Sequence, residues 1–316
     1  LELFLGDGRR VSAGPIPLSV SRVGGGGTVL GGTGIPATQA RFRPLDGPAL
    51  AADGSVYVSD RLDHRLYRIG PDGMLTLIAG TGGAGSAGDG GPAISAQLNG
   101  PNRIDLGPDG SLFFSEDGSR RVRRIDPAGI ITTVAGGGAA QPADGVPATS
   151  VALWPEGLAV APDGSFYVTS YTGFRVFRVG TDGLIYRVAG GGAIGTSQNP
   201  PNEVPARDAN LSPLWGGLAL DTGGNLYVTF NRHVARVDPG GMLTLVVGPV
   251  NGSSYADGVP ALEVRLDTPE DVTVGPDGAL YIADSGQDKV RRVAIGGRVA
   301  TLAGGGTQVL SGSVND

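Results

Sequence analysis

A nine-residue motif with Pro-Ala at its third and fourth positions occurs five times in this chain, once every 55 to 58 residues. The copies begin with Gly, or Glu in one case, end with Leu or Phe, and span residues 34–42, 90–98, 145–153, 203–211 and 258–266. A period of this length, with strand-like and turn-like segments inside it, is typical of a radial array of small sheets. Function is therefore expected in the residues that differ between the copies.

Each repeat contains four strand-like segments. The first ends at a turn whose usual sequence is Pro-Asp-Gly, where Pro fixes φ and Gly accepts a positive φ. The second is rich in β-branched and aromatic residues, the third carries arginine, and the fourth ends at a glycine. Four antiparallel strands per repeat predict one blade of a β-propeller, in which neighbouring blades cover each other's faces.

We therefore expect an all-β fold, a six-bladed β-propeller that occupies residues 1–316 as a single domain. Five blades are predicted at about 41–80, 97–136, 152–190, 210–248 and 265–304. A sixth, incomplete copy is predicted at the N-terminus, with its second strand at 2–7, its third at 18–23, its fourth at 28–31 and an insertion at 11–17. The apolar segment 308–314 could supply the missing first strand. A blade shared by 1–33 and 305–316 would close the ring and remove an exposed sheet edge.

The composition fits such a ring and excludes several other classes of protein. Hydrophobic residues make up 40% of the chain and charged residues 17%, which suits strands buried on both faces. The net charge of −6 disfavours nucleic acid as a partner. The absence of cysteine excludes disulfides and thiolate chemistry. No apolar run approaches the ~20 residues of a membrane span, and the strand pattern present from residue 1 suggests part of a longer protein.

Three strings carry a resemblance to a known family. They are Gly-Asp-Gly-Gly-Pro-Ala at 88–93 with Ala-Gln-Leu-Asn-Gly-Pro at 96–101, Ile-Ile-Thr-Thr-Val-Ala-Gly at 130–136, and Leu-Gly-Asp-Gly-Arg-Arg-Val-Ser-Ala at 5–13. These strings resemble NHL repeats, and more narrowly the propeller of bacterial RHS-repeat proteins and their animal relatives, the teneurins. The resemblance implies a six-bladed NHL-type propeller attached to a YD-repeat shell, in a protein that is secreted or displayed on the cell surface.

One column of the repeat alignment is mostly polar at the entrance of the first strands. Its members are Asp46, Asn102, Glu156, Gly216 and Glu270, and Arg103 and Asp271 lie beside it. Because first strands line the axis of a propeller, these residues are candidates for an axial mouth. A ring of oxygen ligands could hold a hard cation such as Ca²⁺, and the alternative is a solvated tunnel mouth. Gly216 and Arg103 interrupt the ring, so we expect no catalytic residue, no metal and no cofactor.

The two histidines give no catalytic constellation. His64 lies in the turn before a third strand, and His233 occupies a column filled elsewhere by arginine or lysine, which indicates a surface position. Lyases of this propeller class that resemble the peptide-amidating enzymes use several histidines around a central metal, which this sequence cannot provide.

Arginine recurs once per blade on the third strand. The column consists of Arg22, Arg68, Arg124, Arg178, Arg236 and Arg292, and its candidate partners on the second strand are Asp7, Asp60, Glu116 and Asp284. Sixfold recurrence spreads the charge around the ring, whereas a phosphate-tracking site would gather it on one face beside exposed aromatic residues. The column is therefore interpreted as structural pairing or packing of the arginine stems.

These observations favour a non-catalytic interaction module that contacts protein, either its own YD-repeat shell or an external ligand. Loops on a rigid scaffold usually carry binding, and the connections that vary most between repeats are 11–17, 81–88, 191–202 and 249–255. Two alternatives remain open: a metal-dependent lactonase or lyase acting at the axial mouth, and an RNA-binding propeller.

Overall fold

The computed structural model describes residues 2–4, 9–12, 19–30, 32–43, 45–195, 200–248, 254–294 and 296–305. Within them, five antiparallel sheets follow one another along the chain, each with its strands in sequential order. Blade 1 contains Leu45–Leu50, Val56–Asp60, Arg65–Ile69 and Met74–Ala79. Blade 2 contains Pro101–Leu106, Leu112–Glu116, Arg121–Ile125 and Ile131–Gly136. Blade 3 contains Pro155–Val160, Phe166–Ser170, Arg175–Val179 and Leu184–Gly190.

Blade 4 contains Leu214–Leu220, Leu226–Phe230, His233–Val237 and Met242–Val247. Blade 5 contains Pro269–Val274, Leu280–Asp284, Lys289–Val293 and Val299–Gly304. A short strand from the preceding connection extends blades 1, 3 and 4, namely Ile35–Pro36, Val146–Pro147 and Val204–Pro205. The described helices are 3-10 turns at Ala37–Gln39, Ala93–Ser95, Ala148–Ser150, Ala206–Asp208 and Ser285–Gln287, and none has the length or apolarity that crossing a bilayer requires.

The hydrophobic core lies between the blades. In one cluster, Val176 and Ala189 of blade 3 pack against Leu226 and Val228 of blade 4, and the other blade junctions are filled in the same way. The all-β propeller predicted from the sequence is therefore confirmed. Each blade depends on its neighbours for burial, which explains the weak alternation of polar residues along the strands.

The repeated Pro-Ala motif attaches each connection to the blade that follows it. Its alanine is buried in every copy, as in Ala93 at 2% exposure. The Ala93 N–H donates to the carbonyl oxygen of Gly129, in the last turn of blade 2, at 2.9 Å. A larger side chain would not fit this position, because the alanine packs inside the junction between two blades.

The N-terminal segment forms a separate three-stranded antiparallel sheet of Glu2–Phe4, Arg9–Ser12 and Ser19–Arg22. Its predicted strand assignment is wrong. The Gly25 N–H donates to the Ala37 carbonyl as the Gly80 N–H donates to the Ala93 carbonyl, so Ser19–Arg22 occupies the position of a fourth strand. Arg9–Ser12, partly within the predicted insertion, is then the third. Short alternating strings fit several positions of a repeat, so pattern alone did not distinguish them.

Val29–Leu30, predicted as the fourth strand of that blade, instead pairs in parallel with Ala40–Arg41 inside the connection to blade 1. The described residues thus contain five complete blades, whereas six were predicted. The segment 308–314, predicted to complete the sixth blade and close the ring, lies outside the described residues.

Candidate functional site

The propeller has two faces with different contents. The first strands begin on one face, together with the turns between second and third strands, and we call this the entrance face. The Pro-Asp-Gly turns and the turns between third and fourth strands lie on the other, which we call the turn face.

An axial cavity of about 330 Å³ is lined by the first strands of all five blades. At its mouth, Arg103 of blade 2 donates from Nη1 to Oδ2 of Asp271 in blade 5 at 2.7 Å. Arg103 also donates from Nη2 to the carbonyl oxygen of Glu270 at 3.3 Å. Two of the predicted mouth residues are therefore bound to each other across the axis.

The other candidates of the axial mouth do not converge on one point. Asn102 donates from Nδ2 to Oδ1 of Asp117 in the adjacent turn at 3.3 Å. The Glu270 side chain is exposed. Glu156 lies beside Gly216, where an added Cβ would stand 3.0 Å from the Cβ of Glu156. The side chain of Asp46 lies outside the described residues. Among the described residues, no three His, Cys, Asp or Glu side chains are grouped closely enough to hold a metal ion.

Sequence reasoning missed Asp105, which lies deeper in the same cavity. Its Oδ2 accepts from the Val160 N–H of blade 3 at 2.7 Å, and its Oδ1 accepts from the Leu106 N–H at 2.8 Å. Burial raises the pKa of Asp105 to about 6. The sequence contained a signal, since the equivalent residues of the other blades are uncharged: Ala49, Ala159, Ala219 and Thr273.

The third-strand arginines pair with the turn aspartates of their own blades. The four pairs are Arg68–Asp53 at 2.9 Å, Arg124–Asp109 at 2.7 Å, Arg178–Asp163 at 2.8 Å and Arg292–Asp277 at 2.6 Å. The column was therefore correctly interpreted as structural, but its predicted partners are wrong. Asp60, Glu116 and Asp284 instead accept backbone N–H groups where the first strand begins. Asp7 and the Arg22 side chain lie outside the described residues.

Blade 4 lacks this pair because its turn has Gly223 at the aspartate position. Nε of Arg236 is buried and has no hydrogen-bond partner among the described residues. The two histidines have local roles. Nδ1 of His64 accepts from the Gly100 N–H at 3.1 Å. His233, predicted at a surface position, is only 3% exposed, and burial lowers its pKa to about 4. Its ring packs against that of Phe230 in the same blade, with 5.4 Å between centroids.

The entrance face carries exposed aromatic side chains on blade 3 and at the start of blade 4. Trp154 is 41% exposed, Tyr171 is 55% exposed and Trp215 is 39% exposed. We call these three residues the aromatic patch. Each interrupts the repeat. Residues equivalent to Trp154 are Gly100, Pro213 and Thr268, and residues equivalent to Tyr171 are Arg61, Asp117, Asn231 and Ser285. Trp215 is an additional residue, because three residues separate Leu214 from Leu218 where two separate Pro155 from Leu158.

Each ring of the aromatic patch is held by a neighbour. The guanidinium of Arg120 lies 3.5 Å from the ring centroid of Trp154. The ring of Tyr171 makes an edge contact with Phe174 at 5.5 Å between centroids. Nε1 of Trp215 donates to the carbonyl oxygen of Asn231 at 2.6 Å. The patch therefore presents fixed rings whose remaining surface is open to solvent. Both tryptophans of the chain belong to it, which is the signal that sequence reasoning could have used.

Two adjacent first strands approach closely beneath the patch. A Cβ on Gly157 would lie 1.5 Å from the carbonyl oxygen of Gly216, and Gly216 itself has a φ of 96°. Only glycine allows this approach. The junction of blades 3 and 4 at the axis thus fixes the backbone that carries Trp154 and Trp215.

No protein-family model matches the chain. Among curated proteins, it is 31% identical over 302 residues to teneurin-3 of Mus musculus, which covers 80% of this chain and 11% of teneurin-3. It is 29% identical over 306 residues to teneurin-4 of Homo sapiens, covering 79% of this chain and 10% of that protein. The chain is therefore a teneurin-like propeller that spans about a tenth of the length of these relatives.

Solved structures share the architecture at lower identity. A chain of a nidogen–laminin complex has a TM-score of 0.62 at 15% identity, covering 95% of this chain and 91% of its own. A gluconolactonase from Xanthomonas campestris has a TM-score of 0.53 at 17% identity, covering 81% and 74%. A streptogramin B lyase has a TM-score of 0.53 at 17% identity, covering 81% and 67%. At these identities the similarity shows the propeller fold alone.

Proposed function

We propose that this propeller is a non-catalytic protein-interaction module that binds its partner through the aromatic patch. The observation that carries the proposal is the local break in the repeat: Trp154, Tyr171 and Trp215 replace small or polar residues, or are added, on the entrance face of two adjacent blades. Selection for folding alone would not place large exposed rings there, because none of the three is needed at the equivalent positions of the other blades.

The chemistry of the patch suits a protein surface. Trp, Tyr and Arg are the residues most enriched among those that dominate interface energies. The rings are already held by Arg120, Phe174 and Asn231, so ordering them on binding costs little side-chain entropy. A net charge of −6 disfavours a phosphate backbone as the alternative partner.

Similarity to the teneurins supports a larger context. The parent protein would be secreted or displayed at the cell surface, with an NHL-type propeller docked on a YD-repeat shell or bound to an external ligand. Segment 308–314 would complete the N-terminal sheet as the first strand of a sixth blade. Removal of residues 307–316 should then lower the melting temperature and cause aggregation through the exposed edge, and unchanged melting and light scattering would contradict closure.

The test of the proposed function uses the separately expressed remainder of the parent protein as the binding partner. Trp154→Ala and Trp215→Ala should each weaken binding by about tenfold or more, the loss expected for a dominant interface residue. Tyr186→Ala is the matched control, since Tyr186 is 37% exposed but lies on the outer strand of blade 3. Surface plasmon resonance gives the affinities. Equal affinities for the two tryptophan variants and the unaltered chain would contradict the assignment of the patch.

A metal-dependent lactonase or lyase is the second candidate, and Asp105 in the axial cavity favours it. The bond between Arg103 and Asp271 opposes it, because that bond neutralises a potential ligand at the mouth. A Ca²⁺ site filled at 100 times its dissociation constant would stabilise the fold by about 2.7 kcal/mol. We expect a much smaller shift in melting temperature on adding Ca²⁺. A large shift in melting temperature that Asp271→Ala abolishes would favour the metal-dependent enzyme. RNA binding that persists at physiological salt would instead favour the RNA-binding propeller.

A further inference from the structure

Grooves form on the turn face where one blade meets the next, and one of them differs from its counterpart. The groove between blades 3 and 4, here the blade 4 groove, has a volume of about 580 Å³. The equivalent groove in front of blade 1 has a volume of about 410 Å³. The equivalence is structural, since Pro205, Gly224 and Gly241 of the former correspond to Pro36, Gly54 and Gly73 of the latter.

Two arginines line the blade 4 groove at positions where the other described blades have uncharged residues. Arg207 is equivalent to Thr38, Ile94, Thr149 and Leu262. Arg187 is equivalent to Leu77, Thr133, Leu245 and Thr301. Neither position carries a charge in another described blade. Both substitutions fall in one groove, beside Arg178 of the third-strand column.

The arginines are fixed before any ligand binds. Oδ1 of Asp144 accepts a hydrogen bond from the backbone N–H of Arg187 at 2.8 Å. Oδ2 of Asp144 accepts one from Nη2 of Arg207 at 2.6 Å. Nη1 of Arg187 donates to the carbonyl oxygen of Arg207 at 3.1 Å. The side chain of Arg207 nevertheless remains 50% exposed and that of Arg178 36% exposed. Guanidinium groups held in place but open to solvent are suited to hydrogen bonding with an incoming molecule.

The groove also contains acceptors and an apolar floor. Asp208 and Asp238 line it and carry the charge opposite to that of the arginines, while Val188, Pro205 and Pro239 supply carbon surface. Asp208 is exposed, whereas Asp238 accepts the N–H of Met242 at 2.9 Å. Donors, acceptors and apolar surface therefore face one space whose volume lies in the range of about 300–1,000 Å³ typical of small-molecule sites.

We propose that the blade 4 groove binds a neutral polyhydroxylated ligand, a carbohydrate. An anion would be attracted by the arginines but repelled by Asp208 and Asp238, whereas a cation would be attracted by these aspartates but repelled by the arginines. A wholly apolar ligand would strip water from the guanidinium groups without replacing their hydrogen bonds. A sugar offers hydroxyls that accept from Arg207 and Arg187 and donate to Asp208. Its C–H faces can cover the carbon surface of Val188, Pro205 and Pro239.

The experiment is saturation-transfer difference NMR and calorimetric titration of the whole chain with glucose, galactose, N-acetylglucosamine and maltose. At least one sugar should bind. Arg207→Thr and Arg187→Leu install the blade 1 residues Thr38 and Leu77, and each should weaken that binding by about tenfold or more. Arg207→Lys should also weaken it, because lysine lacks the fork geometry. An N-glycosylated protein, before and after enzymatic deglycosylation, distinguishes a protein-borne glycan from a free sugar.

This site is independent of the aromatic patch, so the two proposals can fail separately. Trp154→Ala should leave sugar binding unchanged, and Arg207→Thr should leave binding of the protein partner unchanged, which also reports that the variant is folded. No signal from any of the four sugars or from the glycosylated protein would overturn the proposal. Tighter binding of inorganic phosphate than of any sugar would overturn the ligand class.

Discussion

Blade 2 and blade 4 have the same arrangement of strands, but they differ in their side-chain contacts: two arginine–aspartate pairs of blade 2 have no equivalent in blade 4. In blade 2 the side chain of Arg123 is fully buried and donates to Asp89 at 2.7 Å. Blade 4 has Ala235 at the equivalent position. Likewise, Arg124 of blade 2 pairs with Asp109, whereas the blade 4 turn has glycine in place of that aspartate. The antiparallel ladder and the junctions between blades are therefore sufficient for the fold, and the ion pairs are additions to it.

Both proposed binding features lie where blade 4 meets blade 3. Trp215 is added at the start of the first strand of blade 4, and Arg207 lies in the connection that precedes it. Trp154, Tyr171 and Arg187 belong to blade 3, so the residues that break the repeat are divided between these two adjacent blades. Positions that the fold does not need for pairing can accept residues that serve binding, as is expected when a rigid scaffold separates structure from function.

The largest expected effect is on the buried arginine of blade 2. Arg123→Ala installs the blade 4 residue and should lower the free energy of unfolding by about 3–5 kcal/mol, because it removes one partner of a buried charged contact and leaves a cavity. The carboxylate of Asp89 and the carbonyl of Gln97 would both lose a donor. Urea unfolding measures the change. Adding Asp89→Asn, which installs the residue found at the equivalent Asn202 of blade 4, should restore part of the loss, and a loss below about 1 kcal/mol for the single variant would show that the contacts of Arg123 are dispensable.

The next largest expected effect concerns how stability depends on pH. One buried residue of blade 2 and one of blade 4 change stability with pH in opposite directions. Burial raises the pKa of Asp105 from 3.8 to about 6. Between these values the folded chain holds a proton that the unfolded chain has released, so stability rises as the pH falls through this window. Burial lowers the pKa of His233 from 6.5 to about 4. Here the unfolded chain holds the extra proton, so stability falls as the pH falls from 6.5 towards 4.

Because each slope is about 1.4 kcal/mol per pH unit, the two effects largely cancel in the unaltered chain. Asp105→Asn should therefore make stability fall on acidification, and His233→Gln should make it rise, each by up to about 3 kcal/mol across the window. Urea unfolding at several pH values measures both curves. Curves parallel to that of the unaltered chain would contradict the assigned pKa shifts.

The smallest expected effect concerns the exposed pairs of the turn face. The ion pair between Arg124 and Asp109 should contribute about 0.2–1 kcal/mol, since both side chains are substantially exposed. Asp109→Ala removes this pair together with the two hydrogen bonds that Asp109 accepts from Ser111. A double-mutant cycle with Arg124→Ala isolates the pair, and its coupling should shrink at high salt. The matched cycle in blade 4, between Arg236→Ala and Gly223→Ala, should show no coupling. A coupling above about 2 kcal/mol in blade 2 would mean that these pairs are structural supports rather than additions.

Local sequence determined the strands and the turns that join them. Pro-Asp-Gly fixes turn geometry within a few residues, and β-branched and aromatic runs specify strands without reference to the rest of the chain. The same locality limited the prediction at the N-terminus, where Ser19–Arg22 was assigned to the third strand and Arg9–Ser12 fell partly in a predicted insertion. Short segments with similar patterns take their position in a blade from the strands to which they are hydrogen-bonded, and a segment's own sequence does not specify those partners.

Tertiary structure decided which charges meet. Arg124 lies opposite Phe113, near the turn that carries Asp109, while Glu116 lies three residues further along the second strand. At about 3.3 Å per residue this separates Glu116 by about 10 Å along the strand, too far for the predicted pairing. The bond between Arg103 and Asp271 joins residues that are 168 positions apart, and only the curvature of the ring brings them together across the axis. The close approach of Gly157 to Gly216, and the bond between Arg187 and Arg207, arise in the same way, from the packing of one blade on the next.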